Sequence, residues 1–209
     1  MKISYAITVC DEFVEIQRLI TFLRKNKRSQ DEIVVLVDMT KNEPTSELLG
    51  YLHRLSSSNY ITLSEQKFNN HFADWKNTLA NLCNGDFIFQ IDADEYPNEQ
   101  LITLLPEILE SNPEVDLYWI PRINTVEGIT PEHIQQWRWN VNENGWVNFP
   151  DYQSRLYRKT QNITWINKVH ERINGVQVFT HLPAEEEFCL YHPKTIEKQE
   201  KQNNYYNTL

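Results

Sequence analysis

Glycine is scarce in this chain of 209 residues: five in all. No glycine-rich phosphate loop follows the first apolar run, which leads straight into Val9-Cys10-Asp11-Glu12-Phe13. Cysteine is nearly as rare. Cys10, Cys83 and Cys189 are odd in number and scattered, which excludes a disulfide framework and a zinc knuckle and leaves buried free thiols in a reducing compartment. Positive charge is also short. Twenty Lys and Arg face 29 Asp and Glu, a net charge of -9 that argues against nonspecific nucleic-acid binding. A bound cation would offset part of that charge locally. No apolar run reaches the roughly 18 residues of a membrane span. The opening MKISYAITVC meets Asp11-Glu12 without a small-residue cleavage pattern, so it does not read as a signal peptide. A cytoplasmic protein is the expectation.

What is present is a globular composition, 40% hydrophobic and 12% aromatic, enough for one domain spanning 1–209. Ile3 to Val9 and Glu32 to Val37 read as strands, the second apolar on both faces as in a helix-covered parallel sheet. Phe13, Ile16, Leu19, Ile20 and Leu23 recur at helical spacing, predicting a helix over 12–27. A helix from Ser46 to Leu55, a short strand from Tyr60 to Leu63, and a helical stripe of Phe72, Trp75, Leu79 and Leu82 follow. Asp86 to Ile91 is the next strand, and Asn98 suits the cap of a helix running to about Glu110. The alternation implies an α/β fold with a doubly wound, mostly parallel sheet. The division expected is a nucleotide-binding half at 1–95, an acceptor half at 96–192 and a C-terminal helix or tail at 193–209. In the second half, Val115 to Ile120 and Ser154 to Arg158 read as strands, and 121–150 as a long irregular loop carrying Trp137, Trp139 and Trp146.

Three predicted strands run into acids: the first into Asp11-Glu12, the second into Asp38, the fourth into Asp92. Ligands of open parallel sheets bind outside the carboxyl ends of the strands, so these acids are expected along one edge. Each acid alone also fits a helix cap or a turn. In FIFQIDADEYP, residues 87–97, Asp92 and Asp94 are two apart and point the same way if the chain stays extended. Paired there, they suit a hard divalent cation whose shell is completed by water and substrate phosphates. Glu95 would then point the other way, toward the acceptor side or into the turn before Pro97.

The stretch N-G-D-F-I-F-Q-I-D-A-D-E resembles the metal-binding strand of family 2 glycosyltransferases with the GT-A (Rossmann-like) fold. D-W-K-N-T-L-A at 74–80 resembles that family's basic-Asn segment, and I-T-V-C-D-E its first strand and nucleotide-binding turn. P-D-Y-Q-S-R-L-Y-R, V-H-E-R and L-Y-H-P-K resemble a subgroup of small members. The resemblance implies an inverting transferase. Its donor would be a nucleoside-diphosphate sugar, usually of uridine diphosphate, its metal Mn²⁺ or Mg²⁺, and its acceptor a glycan or other hydroxyl compound. Carried over residue by residue, Val9, Cys10, Glu12 and Asp38 would contact the nucleoside, and Lys76 the base or phosphates. Asp92 and Asp94 would form the metal motif, with Ala93 against the nucleotide, and His192 would complete the metal or diphosphate site. Asp151 is the first choice for the base, although Pro150 stands where the family's paired acid is usual. Glu171 is the rival base, and His170 beside it a diphosphate or acceptor contact.

Alternatives stay open for several residues. His170 and His192 also fit structural histidines. Arg155 and Arg158 fit surface ion pairs by default. The three loop tryptophans fit a sugar-stacking wall or loop anchors equally. Trp75 reads as core, and Tyr205-Tyr206 as a pair docking the tail. Two other functions compete. A sugar nucleotidyltransferase would need the missing glycine-rich loop, and a carbohydrate-binding module would not need strand-end acids gathered around a nucleotide.

Overall fold

The computed structural model of the chain describes residues 1–40 and 46–206. Its first half alternates as expected. β1 (Ile3–Val9), α1 (Phe13–Asn26), β2 (Glu32–Asp38), α2 (Ser46–Ser57), β3 (Thr62–Gln66), α3 (Phe72–Leu82) and β4 (Phe87–Asp92) follow one another. Next come β5 (Tyr96–Pro97), α4 (Glu99–Ser111), β6 (Leu117–Ile120), β7 (Arg122–Glu127), α5 (Pro131–Trp137) and β8 (Gln153–Arg158). The hairpin strands β9 (Thr164–Ile166) and β10 (Arg172–Asn174), then β11 (Phe179–His181), β12 (Leu190–Thr195) and α6 (Ile196–Tyr206) complete the order.

The seven-stranded sheet runs β11-β6-β8-β4-β1-β2-β3. β4, β1, β2 and β3 are parallel, and β8 runs antiparallel to both of its neighbours, β4 and β6. This is the mixed α/β, mostly parallel sheet flanked by helices that the alternation predicts. One face packs on α1, α2 and α4 through Ile16, Leu19, Ile20, Leu23, Leu48, Leu52, Leu101 and Leu105, all fully buried. Each such side chain contributes about 1.5–3 kcal/mol of burial. The other face packs on α3 and β9 through Ala73, Trp75, Leu79 and Trp165. Asn98 does cap α4, its side chain accepting from the Gln100 amide at 2.8 Å.

Two expectations change. The third strand begins at Thr62, later than Tyr60. The stretch 121–150 is not structureless. Ile123 and Val126 are buried on opposite faces of β7, which lies parallel to β12 in a second sheet of order β5-β12-β7. α5 starts at Pro131 behind a capping box in which Thr130 and His133 bond each other's backbone amides. The strand escaped notice because its apolar residues are spaced by three, which masks the two-residue alternation of a strand. The side chains of Tyr205 and Tyr206 lie outside the described residues.

Gly85 sets β4 against β1. A Cβ at this position would lie 2.6 Å from the Ser4 hydroxyl and 2.7 Å from the Ser4 amide nitrogen, a contact only glycine permits. Gly85→Ala is expected to cost about 1–3 kcal/mol in urea unfolding. Unchanged stability would mean that this edge of the sheet gives way.

Candidate active site

The carboxyl ends of β1, β2 and β4 open into a cleft of about 790 Å³. Val9, Cys10, Glu12, Asp38, Lys76, Asp92, Ala93, Asp94, His170, Glu171 and His192 all line it. Asp11 is exposed and lies outside the lining, in keeping with a turn residue. Glu12 folds back to accept the amides of Cys10 at 2.9 Å and Asp11 at 3.2 Å. Burial raises its carboxyl above the ordinary range in spite of those bonds. Asp38 accepts the amides of Thr40 at 2.8 Å and Phe68 at 3.3 Å, which fixes its carboxylate at the end of β2.

The chain does not stay extended past Asp92. The Glu95 amide donates to the Asp92 carbonyl at 2.9 Å, closing a turn. Asp92 and Asp94 therefore meet in the cleft through a turn, and Glu95 swings inward. Glu95 is fully buried, so it does not face an acceptor; it does cap the turn before Pro97, its Oε2 accepting the Asp92 amide at 3.1 Å. Two guanidinium groups explain how a carboxylate survives there. Arg155 Nη2 and Arg122 Nη1 each donate to Glu95 Oε1 at 2.8 Å. Arg155 also pairs with Asp92, and Arg122 with Asp151. Burial works against ionising Asp92, but the charges of Arg155 and Lys76 outweigh it and hold the carboxyl well below the usual range. Arg155 was expected to pair at the surface; it is 4% exposed and serves the site. Its one signal in the sequence is a charge flanking the core pair Leu156-Tyr157 on a strand. Arg158 does follow the default, pairing with Asp116.

Asp151 is not among the residues lining the cleft. Its carboxylate is held by Arg122 Nε at 2.9 Å, Arg122 Nη2 at 2.6 Å, Asn124 Nδ2 at 2.8 Å and Gln153 Nε2 at 2.8 Å. Burial opposes its charge, yet Arg122 and these donors keep the carboxyl below its ordinary range. Glu171 lies in the cleft and pairs with Lys76, whose ammonium also stands 4.2 Å over the Trp165 ring. His170 is exposed, with a positive φ of 54° in the turn between β9 and β10.

Asn124 also settles how His192 presents itself. With its amide nitrogen donating to Asp151, its oxygen faces His192 Nδ1 at 2.7 Å. An amide oxygen only accepts, so Nδ1 carries the proton and donates. His192 Nε2 is thereby turned toward Asp94 Oδ2, 3.4 Å away. In the neutral ring two lone pairs face each other, a donor set that fits a divalent cation bonded to both, with the ring oriented from behind by Asn124. Among the described residues no cluster of three or more His, Cys, Asp or Glu could hold a metal. A cation here would therefore need phosphate oxygens and water to fill its shell.

The loop tryptophans differ in where they lie. Trp139 lines the cleft. Trp137 stacks on His133 at 5.1 Å and Trp146 packs against Phe149 at 4.8 Å, both contacts within the 121–150 stretch itself.

A family model described as glycosyl transferase family 2 matches residues 4–186. Among solved structures, fragment 1–349 of TarS from S. aureus is similar, with a TM-score of 0.64 and 15% identity over 92% of this chain. The same fragment in complex with UDP gives 0.64 at 15% identity, covering 92% of this chain and 60% of that one. In complex with UDP-GlcNAc it gives 0.63 at 15% identity, covering 93% and 59%. This chain thus spans about 60% of the length of that fragment, and the likeness is one of fold. A search of curated proteins finds no match.

The Asp151 cluster carries a pH signature. A carboxyl whose folded pKa is depressed stabilises the native state above its unfolded pKa of about 3.9, and that contribution is lost as pH falls toward the folded value. Asp151→Asn is expected to cost about 1–3 kcal/mol at pH 7, from bonds to a charged group. The gap between wild type and variant should close as pH falls below about 4. Urea unfolding across pH measures it; a gap that stays constant would remove Asp151 from the acid response.

Proposed function

The chain belongs to glycosyl transferase family 2, and from that premise we propose that it moves a sugar from a nucleoside-diphosphate sugar, with uridine diphosphate as the carrier, to an acceptor hydroxyl of a glycan, with inversion and with Mn²⁺ or Mg²⁺. The observation that supports this best is the order of polar groups along the cleft. Asp38 stands at the end of β2, Cys10 and Glu12 at β1, Asp92 and Asp94 at β4, and Ser154 and Arg155 at the start of β8. Three strand steps separate the extremes, roughly 14 Å at about 4.8 Å each. A base, a ribose, two phosphates and a sugar fit that row in sequence.

In this reading Asp38 and the neighbouring Phe68 receive the base, while Cys10, Glu12 and Asp92 meet the ribose. Asp94 and His192 hold the cation, which when bound supplies Lewis-acid stabilisation of the diphosphate. The acceptor oxygen attacks the anomeric carbon from the face opposite the diphosphate. The bond from that carbon to the β-phosphate oxygen breaks, and its electron pair leaves with the diphosphate. The acceptor proton goes to a carboxylate, and Glu171 is our choice because it lines the cleft. Asp151, bound by three neighbours, is assigned to holding Arg122 and Asn124 in place. Trp139 offers the acceptor an aromatic face. The cytoplasm is the proposed compartment, supported by three cysteines in no disulfide, of which Cys83 and Cys189 are pushed up to about 12 by burial. Among the described residues no helix is long and apolar enough to cross a membrane.

Calorimetry with uridine diphosphate is expected to show binding that tightens with Mn²⁺. Absence of binding to any nucleoside diphosphate, with or without metal, would overturn the proposal. Glu171→Gln is expected to keep that affinity and to slow release of uridine diphosphate from a panel of UDP-sugars by about 10²-fold or more. If Asp151→Asn alone has that effect while Glu171→Gln keeps its rate, the base is Asp151.

A further inference from the structure

Gln90 interrupts the apolar run of β4. It is fully buried, and neither its amide oxygen nor its amide nitrogen has a hydrogen-bond partner among the described residues. Buried polar atoms are nearly always satisfied, so two orphans on one side chain need a cause. A third orphan is Arg155 Nε, also buried. β4 and β8 pair Phe89 with Leu156, and the next step along that register sets Gln90 opposite Arg155. Along β4, Gln90 shares a face with Ile88 and Asp92, two residues to either side. It therefore stands directly below the acid that Arg155 grips. On its other edge β8 bulges. Ser154 faces Trp119 and Leu156 faces Tyr118, which leaves Arg155 as the extra residue, and such bulges re-aim side chains.

Arg155 meets both of its acids, Asp92 and Glu95, through one nitrogen, Nη2. A planar fork gripped at one nitrogen can pivot there; a second hold at Nε removes that freedom. Gln90 Oε1 accepts and Arg155 Nε donates, so the two are complementary, yet they do not bond each other directly. Enclosed water meets such facing polar groups in protein interiors. We propose that Gln90 and Arg155 share buried water, which accepts from Arg155 Nε and from Gln90 Nε2, donates to Gln90 Oε1, and so fixes the plane of the guanidinium. Gln90 is then a positioning residue. It stands outside the cleft lining and acts through Arg155 on the place of Asp92. That its loss is felt by a nucleotide rests on the reading of the cleft as a nucleoside-diphosphate-sugar site; the water does not.

NMR on the full chain tests the water without any nucleotide. The Arg155 Nε–H, assigned by its loss in Arg155→Lys, is expected to exchange slowly and to cross-relax with a long-lived water. Gln90→Met keeps the side-chain volume and removes the acceptor, and should quicken that exchange by about tenfold or more. Gln90→Glu keeps an accepting oxygen and should retain the protection. Calorimetry with uridine diphosphate in Mn²⁺ then reads the positioning. Gln90→Met is expected to bind roughly three- to tenfold more weakly, with an unchanged circular dichroism spectrum, and Gln90→Glu to stay closer to wild type. A wild-type Arg155 Nε–H in fast exchange, or without a water contact, overturns the shared water. Full affinity in Gln90→Met, or an equal loss in Gln90→Glu, overturns the positioning role. If Gln90→Met does not fold, the wild-type spectrum and Gln90→Glu still decide. Failure of wild type to bind any nucleoside diphosphate overturns the underlying reading of the cleft instead, and leaves the NMR result standing.

Discussion

Arg155 lies almost wholly out of water with Asp92 on one side and Glu95 on the other. Taking a guanidinium and the Glu95 carboxylate out of solvent is costly, and the attraction among the three charges, with Asp92 still partly in water, offsets that cost only when the geometry is good. Arg122 completes the match by joining Glu95 to Asp151. The turn after β4, the start of β8 and the start of β7 are therefore held by one set of charges. Loosening any of them leaves the others unmatched. The position of Asp94 inherits this, because it stands in the turn whose two ends are Asp92 and Glu95.

A second line of contacts extends the first. Asp151 orients Asn124, Asn124 orients His192, and His192 faces Asp94. The carboxylates of Asp151 and Asp94 are thus tied through side chains from two strands, Asn124 on β7 and His192 on β12. The parallel pairing of β7 with β12 makes the Asn124–His192 contact automatic, since the two are register partners.

The sequence carried most of the fold because the elements that build it are strongly patterned. β1 is mostly apolar, β2 is apolar from Ile33 to Val37, and α1 shows its buried stripe at regular spacing. The strand-end acids were legible for the same reason: a charge directly after a buried run marks the sheet's edge. The guanidinium groups behind those acids were not legible. Arg122 and Arg155 lie 33 positions apart and meet only through Glu95, a residue whose direction depends on a turn. Asp151 was legible as a residue but not as a partner of Arg122, since nothing local in Pro150-Asp151-Tyr152 points to position 122. β7 stayed hidden because its apolar residues do not alternate and its pairing partner is far along the chain.

The reversed direction of β8 has an effect on how such a chain can diversify. A parallel strand offers its ligand only the loop beyond its last residue. β8 instead enters the sheet at the cleft, so Gln153, Ser154 and Arg155 line it from the very start of regular structure. The segment leading into it, with its tryptophans, hangs outside that anchor. It is open to insertion, deletion and exchange while the arginine keeps its place. The wall of the cleft and the loop outside it are in this sense separately variable, divided at a single strand boundary.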